Sequence, residues 1–208
     1  MARPNTFSQT MGFMIVWLLL AVAAVAGLVH SARAGAAQVV YRRTKFGPLS
    51  RQPPGHTLAK VEQAHSLYPY NYRFCIWAAE RAYYERHSAE GREIPERVAA
   101  AERWCDRGLK LNPFSSQLQR LKTRLLARTS LPDAIEQWEQ YVDWHFWDPY
   151  HHAVRVDLHV RAGDVKRARA ALIWLENTRY YREAQEKIHA LEPPDLGDSI
   201  ERLMESLR

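Results

Sequence analysis

The feature that most constrains this chain is a short turn written three times: Leu67-Tyr68-Pro69-Tyr70-Asn71, Leu111-Asn112-Pro113-Phe114-Ser115 and Trp147-Asp148-Pro149-Tyr150-His151. In each copy a proline that cannot continue a helix is followed by an aromatic, then by a small or polar residue suited to capping the next helix. Successive prolines stand 44 and 36 residues apart, close to the spacing of helical-hairpin arrays. A chain punctuated in this way is all-α, and each interval between turns holds two antiparallel helices.

The residues between the turns carry the spacing that such helices require. Asn71 is placed to cap a helix over roughly residues 72–88, in which Cys75, Ala78, Ala79 and Ala82 form a narrow stripe of small side chains. After a loop at 88–93, Pro95 opens a second helix to about Leu111 with a matching stripe of Ala101, Cys105 and Gly108. Two stripes of small residues predict a close-packed hairpin. The next pair places Leu118, Leu121 and Leu125 on one face, then Ala134, Trp138 and Tyr141 behind a Ser130 cap. Residues 153–160 alternate apolar and polar and alone would read as a strand. Their place in the first-helix slot, ahead of the turn Ala162-Gly163-Asp164-Val165, assigns them to a helix. Ala168, Ala171, Leu172 and Leu175 mark its partner. A further helix over 179–191 presents Tyr181, Ala184, Ile188 and Leu191, and a short one carrying Ile200, Leu203 and Leu207 is expected to cap the array.

Ahead of the repeats, residues 12–29 form an uninterrupted uncharged run, GFMIVWLLLAVAAVAGLV. At about 1.5 Å per residue it covers most of a hydrocarbon layer about 30 Å thick. We read residues 1–30 as an uncleaved single-pass anchor whose Ala21, Ala23, Ala24, Ala26 and Gly27 permit close packing against another helix. The alternative is a signal peptide cut at an A-x-A pattern over Ala32 and Ala34 or Ala34 and Ala36, releasing a secreted soluble repeat domain. Residues 31–56 read as a basic linker broken by Gly47-Pro48 and Pro53-Pro54-Gly55. Within it Val39, Val40 and Tyr41 favour an extended segment that has no visible partner. Thr57 is the expected cap of the first repeat helix. The boundaries are therefore anchor 1–30, linker 31–56, repeat domain 57–192 and capping helix 193–208. The net charge of +6 is concentrated beside the apolar run, because no Asp or Glu precedes Glu62. Arg33, Arg42, Arg43 and Lys45 thus point to lipid headgroups, not to nucleic acid. The positive-inside tendency would keep these residues in the cytoplasm, whereas an N-terminal signal-like segment delivers the downstream chain across the membrane. We expect the second outcome, a periplasmic domain.

These residues resemble tetratricopeptide (TPR) repeats, whose first helix carries a bulky residue, a leucine, a small residue and an aromatic, and whose second carries small and aromatic residues before a closing proline. Leu118, Leu121, Leu125, Ala134, Trp138 and Tyr141 fit that order, as do Gly163, Ala168, Leu172 and Leu175. The first pair departs from it, with Cys75 at the bulky position, Cys105 at the second-helix aromatic position and a longer loop. The resemblance covers about residues 57–178 and implies a right-handed stack of hairpins with a concave partner-binding face. A weaker resemblance links Asp106-Arg107-Gly108-Leu109-Lys110-Leu111-Asn112-Pro113 and Trp144-His145-Phe146-Trp147-Asp148-Pro149-Tyr150 to the soluble repeat tails of O-antigen-ligase-type membrane proteins. It implies an envelope location and no glycosyl transfer.

Candidate chemistry is sparse. Cys75 and Cys105 lie nearly equidistant from a hairpin turn centred near residue 91 and form a candidate disulfide, set against two buried thiols. His145, His151, His152 and His159, with Asp148 and Asp157, lack the spacing of a metal signature and read as structural or solvent-facing. There is no C-x-x-C, H-E-x-x-H, glycine-rich phosphate loop or G-x-S-x-G turn, so we expect neither catalysis nor a cofactor. Arg120, Arg124 and Arg128, four residues apart, line one helix stripe suited to an acidic peptide or a terminal carboxylate. Trp144, Phe146, Trp147 and Tyr150 supply aromatic surface for a partner. The expected role is a membrane-anchored interaction scaffold serving another membrane or envelope protein. A small metal-binding regulatory protein is the competing class.

Overall fold

The computed structural model of the chain describes residues 6–88 and 91–191. They form α1 (Thr6–Phe46), α2 (Pro54–Leu67), α3 (Tyr72–Tyr84), α4 (Pro95–Leu111), α5 (Ser116–Thr129), α6 (Leu131–Trp144), α7 (Pro149–Arg161), α8 (Val165–Leu172) and α9 (Tyr181–His189). Short 3-10 turns occupy Pro48–Arg51 and Ile173–Leu175. Among the described residues no strand forms; the nearest approach is an isolated antiparallel bridge between His87 and Glu93. The capping helix expected over 193–208 lies outside the described residues. The chain divides into two compact units, Met1–Leu111 and Asn112–Arg208.

The turns between helix pairs share one geometry, and it differs in register from the proline pattern. After α2, α4 and α6 the chain spends four residues outside helix, at 68–71, 112–115 and 145–148. The fourth residue caps the next helix. Asn71 Oδ1 accepts from the Arg73 backbone N–H at 3.0 Å, and Asp148 Oδ1 accepts from the Tyr150 N–H at 2.9 Å. In the middle copy the Ser115 carbonyl accepts from Gln119 N–H at 2.9 Å, and Asn112 Oδ1 accepts from Phe114 N–H at 3.1 Å. In the third copy Pro149 is the first residue of α7, a position where its missing N–H is no loss. Phe146 and Trp147 fill the turn places held earlier by Pro69-Tyr70 and Pro113-Phe114, and His151, expected near the cap, is buried inside the helix. With the caps aligned, α3, α5, α7 and α9 begin at residues 72, 116, 149 and 181, intervals of 44, 33 and 32. The last two lie within two residues of a 34-residue hairpin repeat. The first is long because ten residues, 85–94, separate α3 from α4, whereas α5 and α6 are separated by Ser130 alone.

In the N-terminal unit α1 is one continuous helix through the stretch assigned above to a linker. It ends where Gly47 allows a close approach: a Cβ there would lie 2.5 Å from the Arg43 carbonyl oxygen. The extended segment weighed for Val39 to Tyr41 does not form. Tyr41 instead packs on Phe74 and Trp77, with ring centroids 4.7 and 6.2 Å away. Packing of one helix face outweighs the modest strand preference of two valines. Ala37, Tyr41 and Thr44 are buried on that face, and Thr57, Val61 and Ala64 are buried on α2, which packs against it. The end of α1 and α2 therefore make a hairpin of their own, and the repeat begins inside the first helix. α2 starts at Pro54, three residues before the expected Thr57 cap. The α3–α4 hairpin agrees with expectation, with Cys75, Ala78, Ala79, Ala82, Ala101, Cys105 and Gly108 all buried in its seam.

In the C-terminal unit the core is built from larger groups. Trp138 is fully buried and its Nε1–H donates to the His151 carbonyl at 3.0 Å. Tyr141, Val142, Leu158, Ala127 and Ala134 complete one cluster. A second joins Val156, Ala168, Ala171 and Leu175 to Ala184 and Ile188 of α9. Residues 153–160 are helical as assigned, and Gly163 turns the chain at φ +73°, a region costly for any residue with a Cβ. Ser130 and Asp164 cap α6 and α8 through side-chain oxygens accepting from Asp133 and Arg167 N–H at 3.3 and 2.9 Å.

Candidate functional site

The first helices of successive pairs in the C-terminal unit, α5, α7 and α9, wall a groove of about 320 Å³. Its polar lining comprises Arg120, Thr123 and Arg124 from α5, Tyr150, Asp157 and Arg161 from α7, and Tyr180, Glu183 and Lys187 at α9. Arg120 Nη1 donates to Tyr150 Oη at 3.1 Å, and its guanidinium lies 5.5 Å from the ring centroid. Tyr180 meets Tyr150 edge-on at 5.8 Å. Arg161 Nη2 donates to the Ala127 carbonyl at 3.2 Å. The two carboxylates of the lining, Asp157 and Glu183, both pair with Lys187 Nζ, at 2.9 and 3.1 Å. Burial works against the Lys187 charge, but hydrogen bonds to those two carboxylates outweigh it, and its pKa is raised. With both acids engaged by lysine, three arginines give the groove its sign. Such a surface favours a ligand bearing carboxylates.

The sequence-derived site residues separate into two places. Arg120, Arg124 and Tyr150 meet in the groove, and Arg128 is exposed on α5 without lining it. Trp144, Phe146 and Trp147 lie instead at the turn between repeats, 69, 53 and 65% exposed. Arg161, Tyr180, Glu183 and Lys187 complete the groove with Asp157, which the sequence presents only beside the histidines; their signal lies in the corrected period. A shift of 33 residues sets Arg124 over Asp157 and Arg128 over Arg161, an alignment that the proline spacing of 36 hides.

Of the four histidines weighed above, His151, His152 and His159 are buried, not solvent-facing. His152 is stacked at 6° on Trp174, and its Nε2–H donates to the Phe146 carbonyl at 2.7 Å. Burial lowers its pKa despite that bond, so the ring is neutral. His159 Nε2 donates to Glu139 Oε1 at 2.9 Å, and Arg155 grips the same carboxylate, which ties α6 to α7. His151 is buried under Trp138 and Tyr141. Among the described residues no group of His, Cys, Asp and Glu is arranged to hold a metal ion. Cys75 and Cys105 are buried as thiols, and burial pushes the Cys75 thiol up to about 11, which suppresses thiolate chemistry.

The apolar run sits inside α1, which is long and apolar enough to cross a membrane, with Phe13, Trp17, Leu18, Leu19 and Leu28 among its exposed side chains. At about 1.5 Å per residue, continuity of the helix places Arg33 about 6 Å beyond Val29 and Arg42, Arg43 and Lys45 about 20–24 Å beyond it. A headgroup layer extends only about 5–8 Å past the hydrocarbon. Of the four basic residues expected to meet lipid, Arg33 alone is within that reach when the helix stands upright.

No protein-family model matches the chain, and no curated protein matches it by sequence. Solved structures match its fold. The "MamA RS-1 ArsTM double mutant" superposes with a TM-score of 0.51 at 12% identity, over 76% of this chain and 94% of that one. TTC0263, a thermophilic TPR protein in Thermus thermophilus, superposes with a TM-score of 0.52 at 15% identity, over 84% and 96%. The chain has a TPR-like helical-repeat fold.

Proposed function

We propose that the chain is a single-pass membrane-anchored scaffold that binds a partner protein through a carboxylate-bearing segment, as an accessory or assembly subunit of a cell-envelope complex. The observation that carries this reading is the α5–α7–α9 groove, in which Arg120, Arg124 and Arg161 face a cleft whose acids are already occupied by Lys187. Tyr150 and Tyr180 add two rings that can pack on the stem of a bound side chain. The exposed apolar face of α1 supports anchoring. The A-x-A pattern over Ala32, Ala34 and Ala36 lies in continuous helix, with Ala32 and Ala36 exposed and the packed face beginning at Ala37, instead of in the extended backbone a processing enzyme takes up, which favours an uncleaved anchor. The resemblance to O-antigen-ligase tails supports an envelope location, and the N-terminal signal-like segment, which delivers the chain after it across the membrane, supports a periplasmic domain. Among its described residues the groove offers no nucleophile paired to a base, and the reading is non-catalytic.

The test is binding of fluorescent acidic peptides, each with a free or an amidated C-terminus, to the full chain in mild detergent. The free carboxylate should bind more tightly, and R120E/R124E should weaken it at least tenfold, a loss of about 1.4 kcal/mol. Equal binding by the charge-reversed protein would remove the groove from the proposal. N-terminal sequencing of membrane-fraction protein tests the anchor separately; a start at Gly35 or Ala37 overturns it.

A further inference from the structure

The repeats alternate direction, so within each unit the turns between pairs lie at one end of the hairpins and the bends inside pairs at the other. In the N-terminal unit the end that carries such a turn is marked. Tyr68 and Tyr70 stand 5.3 and 6.4 Å from the ring of His30, the residue immediately after the apolar run 12–29. When that run spans a bilayer, the turn edge of its own unit lies at headgroup level.

The C-terminal unit concentrates exposed aromatics on its own turn edge. Phe114 contacts Trp144 at 6.2 Å, His145 links to Trp147 at 5.2 Å, Phe146 meets Trp147 at 5.5 Å, and Phe146 reaches Trp174 at 6.4 Å. All five large rings are more than half exposed, as is neighbouring Ile173. The opposite edge, at Ser130 and at Ala162-Gly163-Asp164, carries no aromatic. Three of these features repeat by position: Tyr70, Phe114 and Trp147 each occupy the third place of the four-residue turn and are 67, 56 and 65% exposed. Tyr70 is the member that adjoins the end of the apolar run. A contiguous apolar patch of this kind marks an interaction surface, Trp is enriched where headgroups meet acyl chains, and Trp with Phe lines the apolar face of peripheral elements that lie at that boundary. The same turns bear Asp148, Glu176 and Arg179, so positive charge does not drive the contact.

We infer that the turn edge of the C-terminal unit, formed by Phe114, Trp144, Phe146, Trp147, Ile173 and Trp174, seats in the interfacial layer of the bilayer that holds the apolar segment. This rests on the anchored reading above. The edge is a second, peripheral membrane contact, and it leaves the α5–α7–α9 groove to a protein partner.

The test uses the full chain reconstituted in phosphatidylcholine vesicles with brominated acyl chains, reading tryptophan fluorescence. Trp17 lies in the apolar run, so the quenching lost in W17F reports the span. The quenching that W17F retains reports the turn edge. We expect W17F to stay dimmer in brominated than in ordinary vesicles, and the difference to vanish in W17F/W144S/W147S/W174S with unchanged helical circular dichroism. Neutral and anionic vesicles should give the same result. W17F equally bright in both vesicles, or quenching that persists in the quadruple variant, overturns the inference and leaves the face to a protein. If W17F changes nothing because the wild-type chain is itself unquenched, the anchored reading has failed first. Should the quadruple variant not fold, W17F/W147S, which alters one exposed side chain beyond W17F, should lose part of the quenching that W17F retains, and quenching equal to that of W17F overturns the inference.

Discussion

The N-terminal and C-terminal units are built from the same hairpin but spend their side chains differently. The α3–α4 hairpin is lined mostly by alanines, cysteines and a glycine, with Phe74 and Trp104 as its large buried groups. The C-terminal unit fills its core with Trp138, Tyr141, Leu118 and three buried histidines, and fixes its helices by specific polar contacts. Small residues make a mount; large ones make a cleft. The unit that carries the apolar helix is thus the one with the tighter seam, and the unit with the groove is the one whose spacing depends on bulky groups.

The contrast can be broken most strongly at Trp138. Its replacement by Ala removes the largest fully buried side chain and a buried hydrogen bond, and should cost about 3–5 kcal/mol in chemical denaturation of the full chain. A cost near that of an exposed substitution would show that the ring does not set the spacing. In the N-terminal unit the sensitive direction is the opposite one. Ala101→Leu inserts three heavy atoms into the seam and should destabilise by about 1–3 kcal/mol, measured in the same way. If the seam tolerates leucine without loss, it is looser than its burial indicates. Gly163→Ala tests the bend before α8 and should cost about 1 kcal/mol, because φ +73° strains a Cβ that has open space around it.

The weakest contrast concerns pH, since each unit holds a neutral imidazole. Burial lowers the pKa of His65 in the first unit and of His152 in the second from an ordinary 6.5. The unfolded chain therefore binds protons at these sites before the folded one does. Their contribution is whole above pH 6.5 and is lost as pH falls from 6.5 toward the lowered folded values. Melting temperatures followed downward from neutral pH should fall less steeply in H65Q/H152Q than in wild type; parallel curves would exclude both rings as the cause.

Much of the fold was legible because periodicity and caps are local. Asn71, Ser130 and the seam of small residues stand where their chemistry requires, and residues 153–160 are helical because their place in the repeat overrides their alternation. The third turn was misread because proline is equally at home inside a turn and at the first residue of a helix; Pro69 and Pro113 are the former and Pro149 the latter. The stretch before Gly47 was misread because its alanines and arginines permit a helix without marking one, and the deciding contact, Tyr41 on Phe74, spans 33 residues of sequence. The groove was half legible. Arg120, Arg124 and Tyr150 carried a signal in spacing and ring chemistry, whereas Asp157, Arg161 and Lys187 become visible only with the repeat in its true register.

The unbroken course of α1 from the apolar run to Phe46 has a consequence for phase. Each residue of a helix turns the chain by about 100°, so the apolar run and the face bearing Ala37, Tyr41 and Thr44 share one fixed rotational setting. Inserting a single alanine between Ser31 and Ala36 would swing the repeats about a quarter turn around the helix axis and raise them by about 1.5 Å, whereas inserting seven would restore the direction and act as a spacer about 10 Å tall. The helix works as an indexed shaft: the heading of the repeats is set by the count of residues along it.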